Sequence, residues 1–170
     1  MGHHSHRSRA PQSLKIAVLS VSTTRTLDTD KSGHWIAGQA VREGHSVVAH
    51  QVVSDAITPI REAITRTVAD HAPDAMIITG GTGITPQDVT IEAVQPLFIK
   101  ELTAFGPIFA HLSFEQIDTA ALLSRATAGV IGRCLVFCLP GSQKACELAC
   151  KALIFPEIGH MFGHMADALK

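Results

Sequence analysis

Asp74-Ala-Met-Ile-Ile-Thr-Gly-Gly-Thr-Gly83 joins a short apolar run directly to a cluster of three glycines. The apolar part predicts a buried strand over 74–79, and the glycines predict a tight turn at its carboxyl end. Two similar units precede it, with apolar, β-branched strands expected over 15–21 and 46–53. Each is followed by an amphipathic helical pattern, and three β–α units in succession imply a parallel sheet covered on both faces.

The rest of the chain extends this α/β pattern. The segments 127–131 and 134–139 are joined by Gly132-Arg133, which predicts a hairpin that adds one antiparallel strand. Between them and the glycine cluster the pattern is less regular, and Phe105-Gly106-Pro107 is expected to break the chain between two short helices. The predicted fold class is α/β: a single three-layer α/β/α domain with a mostly parallel sheet and one antiparallel hairpin strand. A helix is expected from about His34 to Gly44, with Asp30 or Ser32 as its N-terminal cap. Further helices are expected over 57–70, near 91–97, near 109–116 and from Ser142 to about Leu153, and a terminal helical turn after Pro156.

Composition limits the classes of protein that remain. Of the 170 residues 46 % are hydrophobic and 17 % are charged, which suits one domain with a substantial core. The 14 Lys and Arg against 15 Asp and Glu give a net charge of −1, without the basic excess that nucleic-acid binding needs. No apolar stretch approaches the length of a membrane span. The His-rich segment 1–13 is expected to be a disordered tail that could come in part from a purification tag, and the domain is expected over 14–170.

The four cysteines form two pairs, Cys134 with Cys138 and Cys146 with Cys150. Neither pair has the two-residue spacing that is typical of a zinc knuckle or a thioredoxin-like site. Because a separation of four places each pair on one face of a strand or helix, we expect buried, reduced thiols. Reduced thiols in turn predict a cytoplasmic protein.

A ligand site is expected at the carboxyl edge of the predicted sheet, because loops and helix N-termini converge there in parallel α/β folds. The glycine cluster matters most, since glycines let backbone N–H groups approach a phosphate closely. It matches neither the Rossmann nor the Walker glycine motif, so those two nucleotide sites are unsupported. The candidate binding residues at this edge are Ser22, Gly80, Gly81, Thr82, Gly83, Pro140, Gly141 and Ser142.

Two carboxylates lie close in sequence to this edge: Asp55 follows the strand over 46–53, and Asp88 follows the glycine cluster. Either could cap backbone N–H groups at the end of a strand or the start of a helix. Alternatively, the two carboxylates could hold Mg²⁺ against phosphate oxygens. Beside a glycine turn they favour phosphoryl or nucleotidyl transfer, which needs metal-binding oxygens and positioning rather than a protein nucleophile.

Several spaced motifs, taken in order, carry a family resemblance. They are Val21-Ser22, Asp30-Lys-Ser-Gly33, Thr79-Gly-Gly-Thr-Gly83, Thr85-Pro-Gln-Asp-Val-Thr90, Leu112-Ser-Phe-Glu115, Ser124-Arg125-Ala126 and Leu139-Pro-Gly-Ser142. From about Lys15 to His160 the chain resembles the MoaB/MogA family of molybdenum cofactor biosynthesis proteins, which includes domains of gephyrin. The Leu-Ser-Phe-Glu block and Gly141-Ser-Gln-Lys-Ala-Cys146 are more similar to the MoaB branch.

The resemblance implies a subunit that assembles into trimers or hexamers and binds molybdopterin, a pterin dithiolene phosphate. Active members adenylylate this phosphate with Mg·ATP. Carried onto this sequence, the resemblance implies catalytic and Mg²⁺-positioning roles for Asp55 and Asp88. It also places Asp30, Ser32 and Ser113 near the ligand cleft, beside the glycine turn and the Pro140–Ser142 loop.

The sequence departs from the family pattern at Thr23, where many relatives carry Asp, at Gln87, where Arg often precedes the key Asp, and at Gln143, where Pro is common. Gln cannot replace the charge or the bidentate geometry of Arg toward a phosphate. An adenylyltransferase and a catalytically weak or inactive molybdopterin-binding paralogue therefore remain as alternatives. A nucleotide-processing relative such as the N-terminal domain of CinA proteins is a third alternative, disfavoured by the Leu-Ser-Phe-Glu block.

Overall fold

A computed structural model describes residue 11 and residues 13–123 and 125–167 of the chain. The prediction of a disordered tail over 1–13 falls almost entirely outside these residues, as does Ser124 of the family motif.

The described part contains a six-stranded sheet in the order β2-β1-β3-β6-β5-β4. Strand β5 pairs antiparallel with both β6 and β4, whereas the β1–β2, β1–β3 and β3–β6 pairs are parallel. Among the described strands β5 is therefore the one that runs against the others, which confirms the predicted fold class. The strands are β1 (Lys15–Val21), β2 (Ser46–Val53), β3 (Ala75–Thr79), β4 (Lys100–Glu101), β5 (Thr127–Ile131) and β6 (Cys134–Leu139).

Helices cover both faces of the sheet. They are α1 (Lys31–Arg42), α2 (Ile57–His71), α3 (Thr90–Val94), α4 (Phe105–Ile117), α5 (Gln143–Ala149) and α6 (Ile158–Asp167). Short 3₁₀ segments lie at Leu27–Thr29, Gln95–Leu97 and Asp118–Leu123, and a π-helical turn at Cys150–Ile154 continues α5.

Two apolar clusters, one on each face of the sheet, hold the three layers together. Alternation along β1 sends Val18 into one cluster and Leu19 into the other, as the two-residue period of a strand requires. The Val18 cluster collects apolar residues of α1, α4, α5 and α6, and the Leu19 cluster collects those of α2 and α3. A strand that is buried on both faces reads as a continuous apolar run, which is why β1 and β3 were recognisable.

The expected break at Phe105-Gly106-Pro107 is wrong, because these residues form the first turn of α4. Proline is tolerated there, since the first N–H groups of a helix have no acceptor within the helix. The two-residue strand β4 was not predicted, and α6 is longer than the expected terminal turn. Of the two suggested caps of α1, the structure uses Asp30, whose side chain accepts a hydrogen bond from the Gly33 N–H.

All four cysteines are free and buried, as expected. Burial raises the pKa of Cys134 to about 12 and that of Cys146 to about 11, so the thiols stay protonated at neutral pH. No helix among the described residues is long and apolar enough to span a bilayer.

Candidate functional site

The carboxyl ends of β3 and β6 are joined by a set of short contacts. The Gly80 N–H donates to the Leu139 carbonyl at 3.0 Å, and the Thr79 hydroxyl donates to the Pro140 carbonyl at 2.9 Å. A Cβ on Gly141 would lie 3.2 Å from the Gly80 Cα. The glycine turn and the Pro140–Ser142 loop therefore form one continuous backbone surface at the edge of the sheet.

The glycine turn needs a backbone that other residues rarely adopt. Gly80 has φ +96°, and a Cβ there would collide with the carbonyl oxygen of Val21 at the end of β1. Thr90 fastens the turn from the other side, since its hydroxyl donates to the Gly80 carbonyl at 2.7 Å and its N–H to the Gly81 carbonyl at 2.9 Å. Three elements thus close around Gly80, which leaves no room for a side chain.

Asp88 closes the loop that follows the glycines. Its Oδ2 accepts from the Thr85 N–H at 2.9 Å and from the Thr85 hydroxyl at 2.7 Å. The Thr85 hydroxyl does most to hold the pKa of Asp88 below its ordinary value; the Gly83 N–H and the charge of Arg125 add to this, against the opposing effect of burial. Asp88 is therefore an ionised carboxylate at neutral pH, and it remains only partly buried.

Arg125 lies behind this loop and donates to four groups, one of which is the Asp88 carbonyl at 3.4 Å. Its Nε donates to the carbonyls of Thr82 and Gly83, both at 2.9 Å. Its two terminal nitrogens donate to the two carboxylate oxygens of Glu92 at 2.7 and 3.2 Å. Thr82 is buried. Like the three glycines predicted in this turn, it therefore offers backbone groups to a ligand rather than an exposed side chain.

Asp55 lies just beyond β2 and is half-buried, with the Thr23 hydroxyl 3.5 Å from its Oδ2. In the sheet, β1 separates β2 from β3, so Asp55 and Asp88 approach the edge from either side of β1. No cluster of three or more metal-ligating side chains occurs in the described part of the chain. A Mg²⁺ ion here would take its remaining ligands from phosphate oxygens and water, which is how Mg²⁺ is commonly bound.

Asp30, which the family resemblance places near the ligand cleft, is fully buried in the structure. Its carboxylate accepts from the Ser20 hydroxyl at 2.5 Å and the Gly33 N–H at 3.1 Å, and its Oδ2 lies 2.9 Å from the His50 Nε2. Burial alone would raise the pKa of Asp30, but the hydrogen bonds from Ser20, His50 and Gly33 outweigh it and lower that pKa. In this structure Asp30 holds the start of α1 and exposes no surface to a ligand.

The loop after β1 reaches across to the loop after β6. The Ser22 Oγ accepts from the backbone N–H groups of Thr24 and Arg25, both at 3.2 Å. The Gly141 carbonyl accepts from the buried Ser32 hydroxyl at 3.0 Å and from the Arg25 guanidinium at 3.3 Å. Ser22 and Ser32 thus shape the edge through backbone contacts, and Arg25 places an exposed cation there.

An open groove of about 560 Å³ lies between the end of α4 and the start of α5. Ser113 and Ser142 both line it, so the structure brings together two predicted binding residues that are distant in sequence. The Ser142 Oγ also caps α5 by accepting from the Ala145 N–H at 3.2 Å. The other lining residues are Gln116, Ile117, Gln143, Lys144, Ala145, Glu147 and Leu148.

Comparison with known proteins identifies the family of this domain. A family model described as "Probable molybdopterin binding domain" matches residues 17–160. The molybdenum cofactor biosynthesis protein B of Bacillus subtilis (strain 168) is 44 % identical over 162 residues, covering 95 % of each chain. The chain therefore belongs to the molybdopterin-binding domain family, in agreement with the sequence resemblance.

Solved structures agree in fold and length. A crystal structure of a molybdenum cofactor biosynthesis protein B superposes with a TM-score of 0.89 at 39 % identity, over 94 % of this chain and 99 % of that one. A tungsten cofactor synthesizing protein MoaB from Pyrococcus furiosus gives a TM-score of 0.83 at 36 % identity, over 92 % and 99 %. Identity at this level over nearly the whole chain favours the MoaB interpretation over the CinA alternative.

Sequence reasoning missed two cations at the site. Arg125 is 37 residues from Asp88 in the chain, so no local pattern links it to the glycine loop. Its only signal was the Ser124-Arg125-Ala126 motif of the family resemblance. Arg25 follows β1 at a position that no motif covers, and only the fold brings its guanidinium 3.3 Å from the Gly141 carbonyl.

Proposed function

We propose that the chain binds molybdopterin in molybdenum cofactor biosynthesis and transfers an adenylyl group from Mg·ATP to the molybdopterin phosphate. The observation that carries this proposal is a side-chain-free glycine turn, closed by an ionised Asp88, that is continuous with the loop leading into an open groove. The names of its relatives as molybdenum cofactor biosynthesis proteins support the pathway.

In the proposed reaction an oxygen of the molybdopterin phosphate attacks the α-phosphorus of ATP. The bond from that phosphorus to the bridging oxygen breaks, and pyrophosphate leaves with the electron pair, so no oxidant or reductant is needed. The protein's task is to position two anionic partners and to balance their charge. Backbone N–H groups around the glycine turn can face phosphate oxygens at close range because no Cβ intervenes.

The residues at the edge fit a magnesium ion. Carboxylate oxygens are hard donors, and Mg²⁺ is usually held by one or two carboxylates together with substrate phosphates. Asp88, and Asp55 from across β1, would hold it, and when bound it would neutralise charge on the triphosphate. The depressed pKa of Asp88 keeps that carboxylate available at neutral pH.

The groove between α4 and α5 suits the pterin end of the ligand. It is lined by two hydroxyls, from Ser113 and Ser142, together with amide side chains and the aliphatic Ile117 and Leu148. A flat, polar heterocycle needs hydrogen-bonding groups on an apolar wall, which this lining provides. The groove begins at Ser142, directly after the Gly141 that packs against Gly80, so molybdopterin in the groove would lie beside a nucleotide at the glycine turn.

A catalytically weak molybdopterin-binding paralogue is the second candidate. Gln87 is exposed beside Asp88 and brings no charge, and Arg125 is already paired with Glu92. Thr23 leaves the Asp55 side of the edge with one carboxylate fewer than many relatives have. These features favour weaker nucleotide binding while leaving the groove intact.

We further propose a cytoplasmic homo-oligomer, a trimer or a hexamer. Five large apolar side chains of α4 and the following 3₁₀ segment are exposed, with Leu122 reaching 82 %. Several exposed large apolar side chains on one helix and the segment after it are typical of a subunit interface. Sedimentation velocity of the purified chain measures the state directly. The exposed residues are Ile108, Phe114, Ile117, Leu122 and Leu123.

Calorimetric titration of each ligand separately distinguishes the two candidate functions. An adenylyltransferase binds both molybdopterin and Mg·ATP, and Asp88→Asn weakens only the second. A paralogue binds molybdopterin alone. Failure to bind molybdopterin would contradict both candidates.

A further inference from the structure

Arg125 and Glu92 form an ion pair behind the glycine loop that no step of the proposed reaction uses. The guanidinium meets the Glu92 carboxylate in a two-point contact at 2.7 and 3.2 Å. Its Nε is shared between the carbonyls of Thr82 and Gly83, and a longer contact of 3.4 Å reaches the Asp88 carbonyl. One side chain therefore holds both ends of the 82–88 loop.

We propose that Arg125, oriented by Glu92, is a positioning residue that turns the 82–88 loop so that its N–H groups and Asp88 face the triphosphate of ATP. This assignment rests on the proposed function for the identity of the ligand. The arrangement of the loop itself rests only on the contacts of Arg125.

The peptide bond is planar, which fixes the direction of each N–H relative to the preceding C=O. In a trans peptide the C=O of one residue and the N–H of the next point in opposite directions. Arg125 draws the Thr82 and Gly83 carbonyls to one side, so the N–H groups of Gly83 and Ile84 are directed to the other. The Asp88 carboxylate lies against Gly83, where an added Cβ would meet its Oδ2 at 2.7 Å, and the Gly83 N–H helps to lower the pKa of Asp88. This carboxylate and the Gly83 N–H therefore share one side of the loop.

Charge adds to this orientation. The hydrogen bonds from Arg125 hold the pKa of Glu92 below its ordinary value, and Glu92 raises that of Arg125, so both groups are fully ionised at neutral pH. Because the positive charge of the guanidinium is balanced by the Glu92 carboxylate, Arg125 attracts a phosphate only weakly. Its main effect is to hold the backbone carbonyls in place. The pair is partly exposed, so its value lies in geometry rather than in stability.

Lysine could not reproduce the arrangement. The planar fork of Arg presents one N–H to the two carbonyls and two further donors to a carboxylate at fixed angles. An ammonium group is a single point that can satisfy one of these partners at a time with the same geometry. Arg125→Lys is therefore expected to leave the 82–88 loop without its fixed orientation, although it keeps the positive charge.

The test compares Arg125→Gln and Arg125→Lys with the wild type and with Arg133→Gln, a matched control in the β5–β6 turn at the opposite edge of the sheet. Amide hydrogen exchange of residues 82–88 and calorimetric titration with Mg·ATP and with molybdopterin are measured on each folded protein. Both Arg125 variants should show faster exchange in the loop and about tenfold weaker Mg·ATP binding. Their molybdopterin affinity and the properties of Arg133→Gln should match the wild type.

Unchanged exchange over residues 82–88 in Arg125→Gln would overturn the proposal. So would an equal weakening of both ligands, because a merely structural role lowers the folded fraction and affects both alike. Recovery of wild-type Mg·ATP affinity in Arg125→Lys would show that charge alone matters and would also contradict it. If the wild type itself binds no Mg·ATP, the proposed function fails, and the exchange of residues 82–88 alone decides whether Arg125 orders the loop.

Discussion

Replacing Gly80 by Ala tests whether the glycine turn is fixed by close packing as well as by its backbone conformation. Gly80 has φ +96°, and the added Cβ would meet the Val21 carbonyl oxygen. The positive φ costs about 1–2 kcal/mol for a residue with a Cβ. Displacing backbone that is held on three sides costs about 1–3 kcal/mol more.

Gly132→Ala is the matched control. Gly132 also has a positive φ, +59°, but nothing lies within 4 Å of the position of an added Cβ. Gly132→Ala should therefore show only the conformational cost of the positive φ. In both variants this cost is partly offset by about 0.4–1 kcal/mol, because alanine makes the unfolded chain less flexible. The difference between the two variants, about 1–3 kcal/mol, isolates the packing contribution.

Urea denaturation of the two variants and the wild type measures these free energies of unfolding. In a thermal scan Gly80→Ala should melt about 2–12 °C below Gly132→Ala, at roughly 2–4 °C per kcal/mol for a domain of this size. It should also bind molybdopterin and Mg·ATP less tightly, since the backbones of Val21, Gly80 and Gly141 are packed against one another. Equal destabilisation by the two substitutions would refute the close-packing argument.

Two further predictions concern buried groups. The pKa of Asp30 in the folded protein lies below its ordinary value of 3.8. The carboxylate therefore stabilises the fold at any pH above 3.8, and this contribution is lost as the pH falls through the folded pKa. Asp30→Asn should therefore lower the free energy of unfolding by about 2–4 kcal/mol at neutral pH. It should also lose less stability than the wild type below pH 3.8, as measured by urea denaturation at a series of acid pH values. An unchanged loss of stability below pH 3.8 would contradict this. The four thiols should resist a disulfide reagent in the folded protein and react in denaturant, because burial raises the pKa of Cys146 to about 11. Rapid labelling of the native protein would contradict this and show that β6 or α5 opens.

Much of the fold followed from local pattern. Strands β1 and β2 have the predicted bounds, because apolar, β-branched runs between polar residues leave little choice of structure. The hairpin of β5 and β6 was recognisable from Gly132 between two apolar runs. Strand β4 was not, since two residues are too short to show alternation.

The α4 error has a physical cause. Gly106 and Pro107 usually interrupt helices, but at the first turn a proline breaks no hydrogen bond. Whether such a pair ends one helix or begins the next depends on what packs behind it. Here Phe105 lies against Phe137 of β6, with ring centroids 5.4 Å apart, and this contact is invisible in the local sequence.

The parts of the site that directly follow the parallel strands were predictable from the sequence. The glycine turn, Asp88 and the Pro140–Ser142 loop lie at one edge because parallel strands deliver their carboxyl ends there. The burial of Asp30 was not predictable, since one of its partners is His50, which is 20 residues away on the edge strand. Long-range partners of this kind, with Arg125 as the second example, are fixed by tertiary packing rather than by spacing.

Adenylyl transfer by the glycine turn and its carboxylates is the activity that we propose for this chain. The direct measurement is turnover by the purified chain with molybdopterin, ATP and Mg²⁺, following adenylyl-molybdopterin and pyrophosphate. Asp70→Asn, an exposed change near the carboxyl end of α2, serves as the control for Asp88→Asn and Asp55→Asn. We predict product with the wild type and with Asp70→Asn, and a loss of about 100-fold or more in turnover for each of the other two variants. No product from a wild-type chain that binds molybdopterin tightly would contradict the account and identify a binding paralogue.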